Sequence, residues 1–365
     1  MKKVAALSTT ASLGSINEFG QEGPKRVYPS TFGATEHSNK GYKHNFVGLD
    51  LKSGKAEAVQ IDSVGSFANR IEAYLLSTGL LPAMEISIGA RKLSMNELPH
   101  RIYDAVMRDS FLNGVPWRDS EIGKKVLKSN IKDATALFKY APLVLLFGGW
   151  DSMGGDAVAG VKIARSVTCE IWGYGVQATT HSAHRINPFP SGSEKGDFAL
   201  DDNRFRVLES DEDIKQAKKN KTYKKLSECG HGSAFVGDPK GCFVDRIEFT
   251  GSISLSRLNR YQFPGDGDLE TRNNAGRKVL ANLALFGIMG ALAHLDLRSG
   301  CELYTASRKT QKIYCDGQRE DQDVSNIEEE LHQSIAEAAT VGLDFAKKPV
   351  LLEAGKALSK IAGVA

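Results

Sequence analysis

The chain has 365 residues, enough to bury one large core or two ordinary ones. Its 41% hydrophobic and 25% charged residues are the balance of a globular protein and exclude a disordered or fibrous chain. A net charge of +3 permits a polyanionic partner without demanding one, because where charges cluster matters more than their sum.

Residues 3–15 read as a strand rich in small side chains, and residues 16–45 as loop, with prolines and glycines among Lys25, Arg26, Lys40 and Lys43. Phe46–Leu51 and Ala56–Ile61 are β-prone, and Lys52-Ser-Gly-Lys between them predicts a hairpin. A helix begins near Ser63 or Ser66, with Phe67, Ile71, Tyr74 and Leu75 at helical spacing. Ser66 as N-cap would put Asn69 and Arg70 in the first turn. Residues 97–114 read as a second helix, and Pro142–Phe147 as a buried strand ended by Gly148-Gly149. Residues 178–246 look like an insertion, with an acidic block followed by six lysines between Lys215 and Lys225. Ile247–Leu255 is strand-like. Arg277–Leu295 is apolar nearly all round, so it predicts a buried helix. Ser325-x-x-Glu328 suggests a capping box for a C-terminal helix. Strands and helices alternate too irregularly for a doubly wound sheet, so an α+β core with insertions is expected.

No run supplies the ~18 apolar residues of a membrane span, and the N-terminus lacks the apolar stretch of a signal peptide. The five cysteines, Cys169, Cys229, Cys242, Cys301 and Cys315, are odd in number and show no CxxC spacing. That argues against a disulfide framework and fits a reducing cytoplasm.

Two runs carry the most chemistry. Asp62-Ser-Val-Gly-Ser-Phe-Ala-Asn-Arg-Ile-Glu72 offers a helix N-terminus with Ser63, Ser66, Asn69 and Arg70, which could hold a phosphate or simply cap the helix. Phe147-Gly-Gly-Trp-Asp-Ser-Met-Gly-Gly155 departs from GxGxxG and lacks the P-loop lysine. Lys162 and Arg165, which follow it, would share a face if helical. Arg257, Arg260, Arg272, Arg277 and Lys278 surround Tyr261-Gln-Phe263, an interleaving that suits single-stranded nucleic acid or an ordinary strand end. His181-x-x-His184 and Cys229-Gly-His231 with Cys242 make weak metal sites, and Asp266-Gly-Asp268 reads as a turn. No GxSxG or HExxH occurs. No catalytic residue, metal or cofactor is assigned, which favours a binding protein over an enzyme.

Seven stretches, in order over roughly residues 28–300, are similar to the backbone-subunit family (RAMP superfamily) of type I-G, formerly I-U, CRISPR surveillance complexes. They are Tyr28–Phe32, Asp62–Glu72, His100–Ser110, Phe147–Gly154, Lys162–Ile171, Leu255–Phe263 and Arg277–Leu285. The resemblance implies an RRM-like (ferredoxin-like) core spanning 1–365, with a loop and hairpin insertion at 16–58, a candidate thumb or basic insertion at 178–246, and a C-terminal helix at 323–347. It implies a cytoplasmic, non-catalytic subunit that polymerises along crRNA and presents the guide to target DNA. Its partners would be further copies of itself, a large subunit, a crRNA-processing subunit and a helicase-nuclease. The implied RNA contacts are Ser63, Ser66, Asn69 and Arg70, then Lys162 and Arg165, with Arg260 and Arg277 added on charge. Related sequences carry Gln where this chain has Phe67, so a polar contact is missing there. Two other readings stay open: a nucleotide-cofactor enzyme using the Gly148–Gly155 loop, and a metal-dependent nuclease using His181, His184 or His231.

Overall fold

Strand β1 (Val4–Ser15) is built from small and β-branched residues, and its inner face buries Thr9, Ala11 and Leu13 while Thr10 and Ser12 stay exposed. The computed structural model describes residues 3–16, 23–32, 43–151, 162–179, 183–185, 200, 207–222, 234–236 and 241–364. After β1 come β2 (Lys25–Val27), β3 (Phe46–Val47), β4 (Lys55–Asp62) and α1 (Val64–Ser77). Next are β5 (Met84–Ile88), β6 (Arg91–Ser94), α2 (Ala105–Arg108), β7 (Ser110–Leu112) and β8 (Val115–Pro116). Three short helices follow, α3 (Glu121–Leu127), α4 (Thr135–Tyr140) and α5 (Pro142–Phe147), and then β9 (Gly149–Trp150) and β10 (Lys162–Ile163). The chain continues with β11 (Val167–Ala178), β12 (Ala183–Arg185), α6 (Asp211–Lys219), β13 (Ala234–Val236), β14 (Cys242–Val244) and β15 (Arg246–Ser254). It closes with α7 (Leu255–Leu258), α8 (Leu269–Ala293), β16 (Leu303–Tyr314), β17 (Arg319–Asp321), α9 (Ile327–Thr340), β18 (Val350–Ala354) and α10 (Lys356–Ile361).

The architecture is α+β with largely antiparallel sheets. The main sheet runs β17-β16-β1-β15-β11-β14-β2, with β4 also on β11 and β3 on β4. Its centre has the order β16-β1-β15-β11, every neighbour antiparallel. Helix α1 lies in the chain between β1 and β11, and α8 between β15 and β16. The inner face is apolar because the strands alternate: Ile247, Phe249 and Ile253 of β15 and Val167, Cys169 and Ile171 of β11 are buried. Phe67 of α1 packs on Phe249 with ring centroids 4.8 Å apart. Helices α1 and α8 approach closely at Gly287, where a Cβ would stand 2.5 Å from Ile71 Cγ2.

A smaller sheet, β6-β5-β18-β7-β8, joins residues 84–116 to the far end of the chain. In it β18 runs parallel to β5 (Val350↔Met84) and antiparallel to β7 (Glu353↔Phe111).

Several expectations change. Pro142–Phe147 is helix α5, not a strand: Pro142 occupies its first turn, every residue is buried, and Gly148 ends it at φ +83°. Residues 97–114 are not one helix but 3₁₀ turns at Met95–Glu97 and Arg101–Tyr103, the short α2 and strand β7. The N-cap of α1 is Ser63, whose Oγ accepts from Ser66 N at 3.3 Å, so Asn69 and Arg70 fall in the second turn. Lys162 lies in β10 and Arg165 beyond it, so no helix gives them a common face. The α9 N-cap is Asn326, with no side-chain capping bond, and Ser325 instead donates its backbone N–H to Asp323.

Helix α8 starts eight residues earlier than expected, because Asp268 caps it by accepting from Thr271 N at 2.7 Å. It is also long and apolar enough to cross a membrane by length and composition, contrary to the sequence reading, but 78% of that window is buried in the protein. Of the 178–246 insertion, the acidic residues Asp211, Glu212 and Asp213 form the first turn of α6 and Lys218 and Lys219 its last, matching the helix dipole. His181, Cys229, His231 and the His184 side chain lie outside the described residues.

Candidate nucleic-acid interface

The first turn of α1 (Val64, Gly65, Ser66) contains no acidic residue, so the positive end of a 14-residue helix has no carboxylate of its own turn beside it. The first intrahelical bond is Phe67 N to Ser63 O at 2.8 Å, leaving the amides of Val64 and Gly65 ahead of the ladder. A Cβ on Gly65 would meet nothing within 4 Å, so the turn opens outward.

Four guanidinium groups gather behind this turn. Arg165 donates from Nη1 to Val64 O at 3.1 Å, and Arg257 donates to Arg165 O. Arg101, held at φ +53°, binds both oxygens of buried Glu72 (Nη2–Oε2 2.9 Å) and reaches Gly148 O at 3.3 Å. Arg70 forms a two-pronged pair with buried Asp62 at 2.9 and 3.4 Å and also donates to the carbonyls of Asp296 and Leu297. Among the described residues, the carboxylates paired with these arginines are Asp62 and Glu72. Burial, and then the Arg101 charge, press Arg165 below its usual range, while Glu72 acts in the opposite direction.

The structure therefore brings Ser63, Ser66, Arg70 and Arg165 together. Asn69 is exposed on the next face of α1, in a groove of about 710 Å³ shared with Asn96 and Arg101. Lys162 sits on the β9–β10 hairpin, its Nζ 6.0 Å from the ring centroid of Trp150, which is 62% exposed. Arg260 is exposed just after α7, whereas Arg277 is tied to Tyr261 O at 3.0 Å and to Glu270 at 3.6 Å. Tyr261 and Phe263 are buried, so the aromatics between those cations pack the core and offer no face to a base. Arg272 is buried as well, donating to Phe263 O. Sequence reasoning left out Arg101 and named Arg257 only among the cations around Tyr261, not beside α1. Both stand in runs it singled out, but only the tertiary contacts to Glu72 and Arg165 reveal their place.

The glycine loop fits a cofactor poorly where it is described. A Cβ on Gly148 would come within 3.0 Å of Ile163 O, and one on Gly149 within 2.9 Å of the Tyr103 ring, so both glycines serve close approach to protein. Cys242 is buried in β14, and no group of three His, Cys, Asp or Glu among the described residues could hold a metal.

Most of this interface lies in one recognisable stretch. The chain resembles a CRISPR-associated family. Residues 20–178 match the family described as CRISPR-associated protein GSU0053, and they include α1, Arg70, Arg101, Lys162 and Arg165, while Arg257, Arg260 and Arg277 lie beyond the match. Among solved structures, a chain titled "CRISPR RNA-guided surveillance complex, pre-nicking" aligns over 99% of this chain and 100% of its own, with 12% identity and a TM-score of 0.31. No curated protein matches the sequence.

Proposed function

We propose that this chain is a non-catalytic guide-RNA-binding subunit of a CRISPR surveillance complex. The observation that carries the reading is the acid-free start of α1 with Arg165 seated on Val64, within the stretch similar to the CRISPR-associated family. A guide-binding subunit must hold any sequence, so its contacts go to phosphates, and backbone amides beside a few cations supply such contacts. The topology supports an RRM-like core: β1-α1-β11-β15-α8-β16 in the sheet order β16-β1-β15-β11 is the split βαβ arrangement of ferredoxin-like folds.

On this reading Ser63, Ser66, Asn69, Lys162, Arg165 and Arg260 face crRNA, and pairing by the guide supplies specificity for target DNA. Arg70 and Arg277 hold the fold around that surface. Copies join head to tail along one guide in an open helical filament, with the large subunit, crRNA-processing subunit and helicase-nuclease as further partners in the cytoplasm.

The test is RNA binding by Lys162→Ala/Arg165→Ala, read as affinity against salt concentration. Loss of two phosphate contacts should reduce the log–log salt slope by about 1.4 for single-stranded RNA. An unchanged slope and affinity would remove this surface as the guide site. Protein purified from a guide-expressing cell should also elute as a large, nucleic-acid-rich species that shrinks with RNase.

A further inference from the structure

A second surface, sharing no residue with the α1 interface, has the chemistry of a strand-binding groove. It is an open cavity of about 650 Å³ between the end of α4, the β7–β8 turn and the segment 344–351. Ile122, Leu112, Phe345 and Val350 give it an apolar lining, and Lys139, Lys347 and Lys348 stand exposed around it. Tyr140, half-buried, presents a ring in the same cavity, with Lys139 Nζ 5.8 Å from its centroid. Lys125 of α3 is close enough to interact electrostatically with Tyr140.

The walls are fixed to the core. Ala346 N donates to Lys139 O at 2.8 Å, Val350 N to Ala83 O at 3.0 Å, and the Phe345 ring lies 5.1 Å from Phe138. The groove is therefore preformed and needs no loop to order on binding. Its charge is incompletely balanced. Glu121 pairs Lys125 at 2.7 Å and Asp344 approaches Lys347 at 3.7 Å, while Lys139 and Lys348 have no carboxylate partner among the described residues.

We propose that this groove binds single-stranded nucleic acid, a strand separate from the one held at α1. Unpaired lysines beside an accessible aromatic ring are the combination that tracks a phosphate backbone while stacking an unpaired base. An acidic peptide would use the lysines but has no base to stack on Tyr140. A duplex keeps its bases inside and would make no use of that ring.

The experiment uses the full chain carrying Lys162→Ala/Arg165→Ala, so that the α1 surface is weakened in every arm. A single-stranded DNA of about 12 nucleotides with 5-iodouracil is irradiated with the protein, and crosslinked peptides are mapped. The expected crosslink is on the peptide bearing Tyr140. Adding Lys139→Ala/Lys348→Ala should weaken the strand by about tenfold and lower its salt slope by about 1.4. Crosslinks confined to other peptides, or unchanged affinity after loss of both lysines, would overturn the proposal. So would AMP or polyglutamate competing as well as the strand, in favour of a mononucleotide or an acidic peptide. The α1 reading stands or falls separately, on the RNA salt slope of its own variant.

Discussion

Replacing Arg70 with alanine separates two roles that a simple loss of RNA binding would confuse. In the fold, Arg70 holds Asp62, whose residue is 1% exposed, through contacts of 2.9 and 3.4 Å, and it also donates to the carbonyls of Asp296 and Leu297 before β16. Arg70→Ala would leave the Asp62 carboxylate buried with its main partner gone. Breaking a fully buried pair costs about 3–5 kcal/mol. The Arg70 side chain is 22% exposed, so water can reach part of the vacated site and the figure falls to about 2–4 kcal/mol. For a chain of this size that lowers Tm by about 3–5 °C. The assay is thermal or urea unfolding of wild type, Arg70→Ala, Asp62→Asn and the double variant, which should show a coupling of about 1–3 kcal/mol. If Arg70→Ala melts within about 0.5 kcal/mol of wild type yet loses RNA binding, the strut assignment fails and Arg70 is itself a contact.

Gly287→Val should destabilise by about 2–3 kcal/mol, because its first added carbon already falls 2.5 Å from Ile71 Cγ2 at the α1–α8 contact; a urea midpoint equal to wild type would disprove the close approach. Stability should also fall at alkaline pH. Burial raises the thiols of Cys169 and Cys242, pushes Cys301 up to about 12, and raises the phenols of Tyr103 and Tyr261. The unfolded chain gives up these protons first, from ordinary values of 9.0 and 10.0, so it binds fewer protons than the fold. The stabilisation is then full below about pH 9 and is lost as pH rises toward the folded values; a Tm that stays level from about pH 8 to 11 would contradict the burial. His44→Ala should cost about 1–3 kcal/mol, since the ring accepts from Gly241 N at 2.9 Å and contacts Ser30 O at 3.0 Å, and an unchanged melt would show that neither bond contributes.

Where the sequence was legible, one signal dominated locally. The strand-like run Ile247–Leu255 falls close to β15, and an all-round apolar stretch placed the buried helix α8. Pro142–Phe147 misled because six consecutive apolar residues carry no period, and a fully buried helix turn looks like a fully buried strand. The first-turn proline was the signal that could have decided it. At the candidate interface, the start of α1 was readable from small residues, whereas the seat of Arg165 on Val64 was not, because the sequence reading put it on a helical face with Lys162. Nor was the division of labour among the arginines. Arg70 and Arg277 are spent on Asp62 and Tyr261 O, and those partners lie 8 and 16 positions away in the chain.

The pairing order of the two sheets has a consequence for how the chain emerges during synthesis. The small sheet sets β18 between β5 and β7, and the main sheet sets β15 between β1 and β11. Each gap is filled from far downstream, so the early strands wait with open edges while most of the polypeptide is still being made. Residues 20–178 synthesised alone would carry β4 and β11 but neither β1 nor β15. Such a fragment would leave unpaired the edge of β11 that faces β15 and the edges of β5 and β7 that face β18, and it should aggregate rather than behave as a portable module.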